Sequence, residues 1–363
     1  MVTGPEGLRY QGTAGRLLVH DGVPATADTM FRWASMTKAI TSVAALQLIE
    51  RGVLDLDTEV ASLLPAHGEL PVLDGFDGAT PRLRPARSRA TLRHLLTHTA
   101  GHAYPWAHAD LFRYHQVTGT PHILSGRRAA LAAPLVADPG TGWQYGASTD
   151  WLGLLVEAVS GRDLASYLSE FVLAPLGATD ATFEPTARQL ESVMAIHQRT
   201  RDGRLHRSGV DLPRAAEFAA GGQGLYGSAR SFARFMQALL RGGELAGARI
   251  LQPETATGLF RDQLGNTPLP GAIRSSMPEL MNDLPPFPFR QGWSLAFHLV
   301  LEDVPGMRRA GSGDWAGLFN SYYWIDPGAR VAGALFTQVL PFFDARVVEL
   351  ALELEKATYQ GLV

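Results

Sequence analysis

The 363-residue chain has no cysteine, which removes disulfides, thiolate nucleophiles and Cys-ligated zinc from consideration. It has no run of about 18 apolar residues, so no segment reads as a membrane span. Residues 1–12 show no basic stretch leading into an apolar one, so they do not read as a signal peptide, and a cytoplasmic location is expected. The formal net charge is only −3, which gives neither nucleic acid nor an anionic membrane a reason to bind. Lysine is nearly missing as well. Of 32 basic residues only Lys38 and Lys356 are lysines. An amine where arginine is the habit suggests a task that needs a group able to give up its proton, which arginine cannot do.

What is present describes a soluble globular protein, 46% hydrophobic and 18% charged. Residues 8–32 read as short strands and turns, with alternation in LRYQG and GRLLVHDG. The stretch 35–51 has apolar residues at helical spacing and stops at Gly52, with Ser35 as the expected N-cap. Residues 66–125 read as irregular around one short helix, and 150–175 as two helices broken at Gly161. Helices are also expected in SARSFARFMQALLRGG and ETATGLFRDQL. From residue 290 on, strand-like runs take over, and a last helix closes the chain. The simplest topology is an α/β (α+β) fold: an antiparallel sheet built from both chain ends and flanked by helices. Residues 1–60 and 216–363 would form the sheet part, and 61–215 an inserted, mostly helical part.

Three segments could carry chemistry. In Ser35-Met-Thr-Lys38 the amine lies three residues from the hydroxyl, on the same helical face. A serine is a poor nucleophile until a neighbouring base takes its proton. Apolar flanks, FRWA before and AITSVAALQL after, argue against a solvated surface pair. In Trp143-Gln-Tyr145-Gly-Ala-Ser148, a tyrosine near an ammonium could serve as base and then as acid. In Gly311-Ser-Gly-Asp-Trp315-Ala316-Gly317-Leu318, followed by the apparent strand FNSYYWID, small residues before a strand would let substrate lie on backbone, with an N–H at the strand's start as oxyanion donor.

Together these segments resemble the serine β-lactamase and penicillin-binding protein superfamily, and are most similar to the class C-like family VIII carboxylesterases. FRWASMTKAITSVAALQLIERGVLDLD, LRHLLTHTAG, WQYGASTDWLGLLVEAVSG, GGQGLYGSARSFARF and NSYYWIDP follow in the order of family segments. The resemblance implies a β-lactamase-like fold, with Ser35 as the acylated nucleophile and Lys38 and Tyr145 as its proton partners. It also implies an oxyanion hole from the Ser35 and Leu318 amides, and neither metal nor cofactor. The implied reaction is hydrolysis of short-to-medium acyl esters, the partner being a small-molecule ester. Alternatives are an acyltransferase on the same fold, a weak β-lactamase or DD-peptidase, and a non-catalytic binding protein. Trp315-Ala316-Gly317 stands where lactamases and peptidases carry a Lys- or His-containing triplet, which favours neutral esters. Arg308 and Arg309 are candidates to replace that cation. Ala147 replaces the asparagine of class C lactamases, and the N-terminus reads as short for the family.

Rival patterns are weaker. Gly222-Gln-Gly224-Leu-Tyr-Gly227 matches G-x-G-x-x-G, but PRAAEFAAG before it is no convincing strand. His94, His98 and His102 are spaced by four, yet no H-E-x-x-H accompanies them. The aromatic loop from Tyr104 to Tyr114, with Trp106 and Phe112, is expected to join Trp143, Trp315, Phe319 and Tyr322 in walling a substrate pocket.

Overall fold

The computed structural model describes residues 1–20, 23–210, 212–213 and 216–361. The N-terminal segment forms β1 (Val2–Gly4), β2 (Gly7–Tyr10), β3 (Met30–Arg32) and helix α1 (Thr37–Glu50). A hairpin of β4 (Val72–Asp77) and β5 (Thr80–Arg84) comes next. Farther on lie helix α2 (Ser148–Ser160), β6 (Tyr226–Ser228) and helix α3 (Ala229–Leu240). Five strands follow: β7 (Gln291–Trp293), β8 (His298–Val300), β9 (Ser312–Gly317), β10 (Ser321–Asp326) and β11 (Val331–Leu335). Helix α4 (Ala345–Tyr359) is the last element.

Both chain ends meet in one seven-stranded sheet, ordered β7-β8-β9-β10-β11-β1-β2 and antiparallel throughout. β1 enters against β11, with Val2 opposite Gly333. The terminal amine of Met1 donates to the Ala334 carbonyl at 2.9 Å. α3 presents an apolar stripe (Phe232, Phe235, Met236, Leu239) to β11 and β1. α1 has no polar face: every residue from Thr37 to Leu48 is buried. A helix buried on every side over these residues lies inside the protein, its polar Thr37, Lys38, Thr41, Ser42 and Gln47 among them, and α1 lies against α2. Lys38 is carried into the interior by that burial.

Several expectations shift. The 3₁₀ turn Ala34–Met36 precedes α1, and no side chain caps either helix start, so Ser35 sits within a tight turn rather than at an N-cap. The stretch expected to be irregular contains the β4–β5 hairpin. Its residues are mostly half-exposed or exposed and include Pro81, so little burial alternation marks it. GRLLVHDG forms no strand among its described residues, Asp21 and Gly22 lying outside them; Arg16 and Pro24 form an isolated bridge. The helix expected in ETATGLFRDQL (254–264) is only about one and a half turns, Pro253–Gly258. The break at Gly161 is real, with φ +68° after α2.

Candidate active site

Ser35 is delivered by the junction of β3 and α1. β3 pairs with β6, and the Trp33 indole N–H donates to the Gly227 carbonyl at 3.0 Å. A Cβ at Gly227 would come within 2.4 Å of the Trp33 ring, so glycine is needed for this packing. Between the anchored Trp33 and the serine, Ala34 takes φ +47°. A left-handed non-glycine residue costs on the order of 1–2 kcal/mol, and such strain tends to collect at functional sites.

Lys38 is 3% exposed. Its Nζ donates to Ser35 Oγ at 3.2 Å, to the Tyr104 hydroxyl at 3.0 Å and to the Gly222 carbonyl at 2.8 Å. An ammonium has three N–H donors, so this one is fully satisfied without a direct carboxylate. The rings of Tyr145 and Tyr104 lie 4.8 and 5.1 Å from Nζ, adding cation–π attraction. Lys356, by contrast, forms an exposed i,i+3 pair with Glu353 at 2.8 Å.

Two tyrosines share the site. Tyr145 lies beside Lys38, and its hydroxyl accepts from the Trp315 indole at 2.9 Å. An indole N–H can only donate, so the Tyr145 oxygen is the acceptor in this bond. The hydroxyl that bonds Lys38 is that of Tyr104, a residue that the sequence marks only as part of an aromatic loop. Burial pushes the Tyr104 phenol well above its usual value of 10, with the Asp150 charge acting in the same direction. Tyr104 is therefore neutral at working pH. The two loops touch at backbone level: Tyr104 N–H donates to the Tyr145 carbonyl at 3.0 Å, and a Cβ at Gly146 would meet Ala103 at 2.5 Å.

The proposed oxyanion donors are near neighbours. A Cβ at Gly317, the last residue of β9, would sit 2.6 Å from the Trp33 carbonyl oxygen, so the end of β9 presses on the turn that carries Ser35. Leu318 comes next in the chain. Ser35, Leu318, Phe319 and Trp106 all line one cavity of about 360 Å³. Trp315, Ala316 and Gly317 do not line it. Trp315 packs between Tyr145, Trp293 and His298; its indole holds the tyrosine instead of walling the cavity. Trp106 stacks on Tyr104, with ring centroids 4.3 Å apart. Of the other expected wall residues, neither Phe112, Trp143 nor Tyr322 lines this cavity.

A lysine-bridged serine, a nearby tyrosine, a strand end against the serine turn and an adjoining cavity can perform acyl transfer. The beta-lactamase family profile matches residues 1–357. The chain belongs to the beta-lactamase family. Its fold is β-lactamase-like. Within the family it is 38% identical to the monacolin J acid methylbutanoyltransferase of Aspergillus terreus over 357 residues, 93% of this chain and 83% of that protein. It is 31% identical to a lovastatin esterase of Penicillium rubens over 342 residues, covering 90% of this chain and 84% of the relative. A mutant of the simvastatin synthase LovD from Aspergillus terreus superposes with TM-score 0.86 at 36% identity, covering 99% of this chain and 91% of that one.

Arg308 does not stand in for the missing cation. It is buried between Asp314 and Glu355, with Nε 2.8 Å from Glu355 Oε1. Arg309 reaches the Gly328 carbonyl instead. The Gly222–Gly227 segment serves close packing: the Gly222 carbonyl takes Lys38, and a Cβ at Gly224 would meet Phe183 at 2.7 Å. The histidines scatter. His94 Nδ1 accepts from the Thr91 amide, His98 packs on Tyr145, and His102 Nε2 lies 3.0 Å from His67 Nε2. No group of three or more His, Asp or Glu among the described residues could hold a metal. Among the described residues no helix is long and apolar enough to cross a membrane.

Proposed function

We propose that this protein is a serine acyl-transfer enzyme that takes a short-to-medium acyl group from an ester onto Ser35 and passes it to an alcohol, with water as the competing acceptor. The observation that carries this reading is the buried Lys38, bonded to Ser35 Oγ at 3.2 Å beside a cavity of about 360 Å³. Cavities of roughly 300–1,000 Å³ hold drug-sized ligands. Much of that space would be left unused by a small acyl group alone, and a bulky alcohol component fits it. In the first half-reaction Ser35 Oγ attacks the ester carbonyl while its proton passes to the Lys38/Tyr145 pair, which enters the step as ammonium and phenolate, so that the Tyr145 oxygen takes the proton. The oxyanion leans on the Ser35 and Leu318 amides. Tyr145 then returns a proton to the departing alcohol. In the second half-reaction the incoming alcohol loses its proton to the same pair, a new ester forms, and Ser35 is restored. Lys38 and Tyr145 act as one coupled unit.

Ester hydrolysis is the second reading, favoured by the lovastatin esterase relative. β-Lactam or peptide cleavage is disfavoured, because Trp315 occupies the cation position and Arg308 is held in ion pairs.

The test is intact-mass spectrometry during turnover of p-nitrophenyl butyrate by wild type and Ser35→Ala, with and without an added secondary alcohol. The expected result is one butyryl adduct on the wild type only, and a butyrate ester of the alcohol as a major product. Adduct formation with free acid as the sole product would make the protein a hydrolase. No adduct, with equal p-nitrophenol release from both proteins, would remove Ser35 from the mechanism.

A further inference from the structure

Asp150, in the first turn of α2, is fully buried and has no part in the acyl-transfer steps above. Its Oδ1 accepts from the Gly222 amide at 3.0 Å. Its Oδ2 is buried and accepts no hydrogen bond from the described residues. Gly222 is the same residue whose carbonyl takes the Lys38 ammonium at 2.8 Å. Gly222 is thus gripped on both sides, by a carboxylate at its N–H and by an ammonium at its carbonyl. A Cβ there would lie 2.6 Å from Asp150 Oδ2, so the carboxylate rests directly on this glycine. Thr41 ties down the preceding residue by donating to the Gly221 carbonyl at 2.8 Å.

A buried carboxylate with one hydrogen bond is costly to keep ionised. The groups around it are Lys38 on α1, the neutral phenol of Tyr104, and beyond Trp151 the imidazoles of His67 and His102, whose protonation burial opposes. Lys38 is the cation among them, and it favours the charged form of Asp150. The arrangement makes physical sense if the cost of burial is offset in the placement of that cation.

We infer that Asp150 is a positioning residue for Lys38: it fixes Gly222 and supplies the buried counter-charge that holds the ammonium on Ser35. This rests on the reading that Ser35 is acylated with Lys38 as proton partner. Burial pushes the Asp150 carboxyl up from 3.8 to about 6. It is ionised above that value, and the counter-charge is lost as pH falls through it.

The experiment measures the Ser35 acylation rate with p-nitrophenyl butyrate from pH 5 to 8 for wild type and Asp150→Asn. The amide keeps an oxygen for the Gly222 N–H, removes the charge and puts an NH2 in place of Oδ2. Wild-type acylation is expected to fall as pH drops through about 6. Asp150→Asn is expected to lack that limb and to be about tenfold slower at pH 8 with an unchanged KM, a loss carried by kcat. An acylated wild type whose limb and rate are both retained in Asp150→Asn would overturn the inference alone, as would a slower variant whose limb is unmoved. If the variant does not fold, the wild-type profile decides: flat acylation from pH 5 to 8 overturns the inference, and a limb near 6 supports it. A wild type that is never acylated would overturn the acyl-enzyme reading and this inference with it.

Discussion

Two tyrosines stand beside Lys38, and their contacts differ in a way that mutation can test. Tyr104→Phe removes one of three acceptors around the ammonium while leaving the ring stacked 4.3 Å from Trp106. A hydrogen bond to a charged group contributes about 1.5–3 kcal/mol. Lys38 keeps its bonds to Ser35 Oγ and the Gly222 carbonyl, so the loss should lie at the low end. At about 1.4 kcal/mol per decade, kcat/KM should fall roughly tenfold. Tyr145→Phe is different. It removes the hydroxyl assigned to proton transfer and should cost about 10²–10⁴ in rate, the usual size of general acid–base catalysis. It also leaves the Trp315 indole N–H without its acceptor, so its thermal midpoint must be measured alongside. The assay is the pre-steady-state burst of p-nitrophenol, with the adduct on Ser35 counted by intact mass. If Tyr104→Phe is as inactive as Tyr145→Phe, or if Tyr145→Phe keeps near wild-type acylation, the assignment fails and proton transfer moves to Tyr104.

Two further outcomes follow from the geometry. Gly317→Ala would force a methyl to 2.6 Å from the Trp33 carbonyl oxygen, so the end of β9 and the serine turn must separate; loss of one oxyanion donor costs about 10²–10³ in kcat. The protein should remain folded with acylation down by at least a hundredfold, and an unchanged burst rate would refute the placement of the Leu318 amide. Burial lowers the His67 imidazole from 6.5 to about 4, so between those values the unfolded chain binds the extra proton and stability is lost as pH falls. The loss approaches about 3 kcal/mol, while Asp150, with its raised value, acts in the opposite sense over much of the same window. Comparing urea midpoints at pH 7 and pH 5, His67→Gln should lose less stability than wild type; equal losses would refute the assignment.

Much of the fold could be read from the chain because its signals are local. The apolar residues at helical spacing after Ser35 do form a helix, and the strand-like runs after residue 290 do supply β7, β8, β10 and β11, while β9 forms in the glycine-rich segment read as preceding a strand. The β4–β5 hairpin was missed because its side chains are largely solvated and the alternation is weak. Within the site, Ser35 and Lys38 are three residues apart, so helical periodicity places them together before any tertiary contact exists. The scarcity of lysine singled out Lys38, whose Nζ the structure places 3.2 Å from Ser35 Oγ.

The partners of that amine lie far along the chain. Tyr104 is 66 residues from Lys38, Gly222 is 184 away, and Trp315 is 170 from Tyr145. Spacing carries no information at such separations. Which hydroxyl meets the ammonium, whether an indole walls a cavity or holds a phenol, and which carboxylate lies beneath a glycine depend on how α1, α2 and β9 pack. Sequence by itself determined the local serine–lysine pair and the buried helix that carries it. Only the tertiary structure decided the surroundings of that pair, because packing alone brings distant loops within hydrogen-bonding distance.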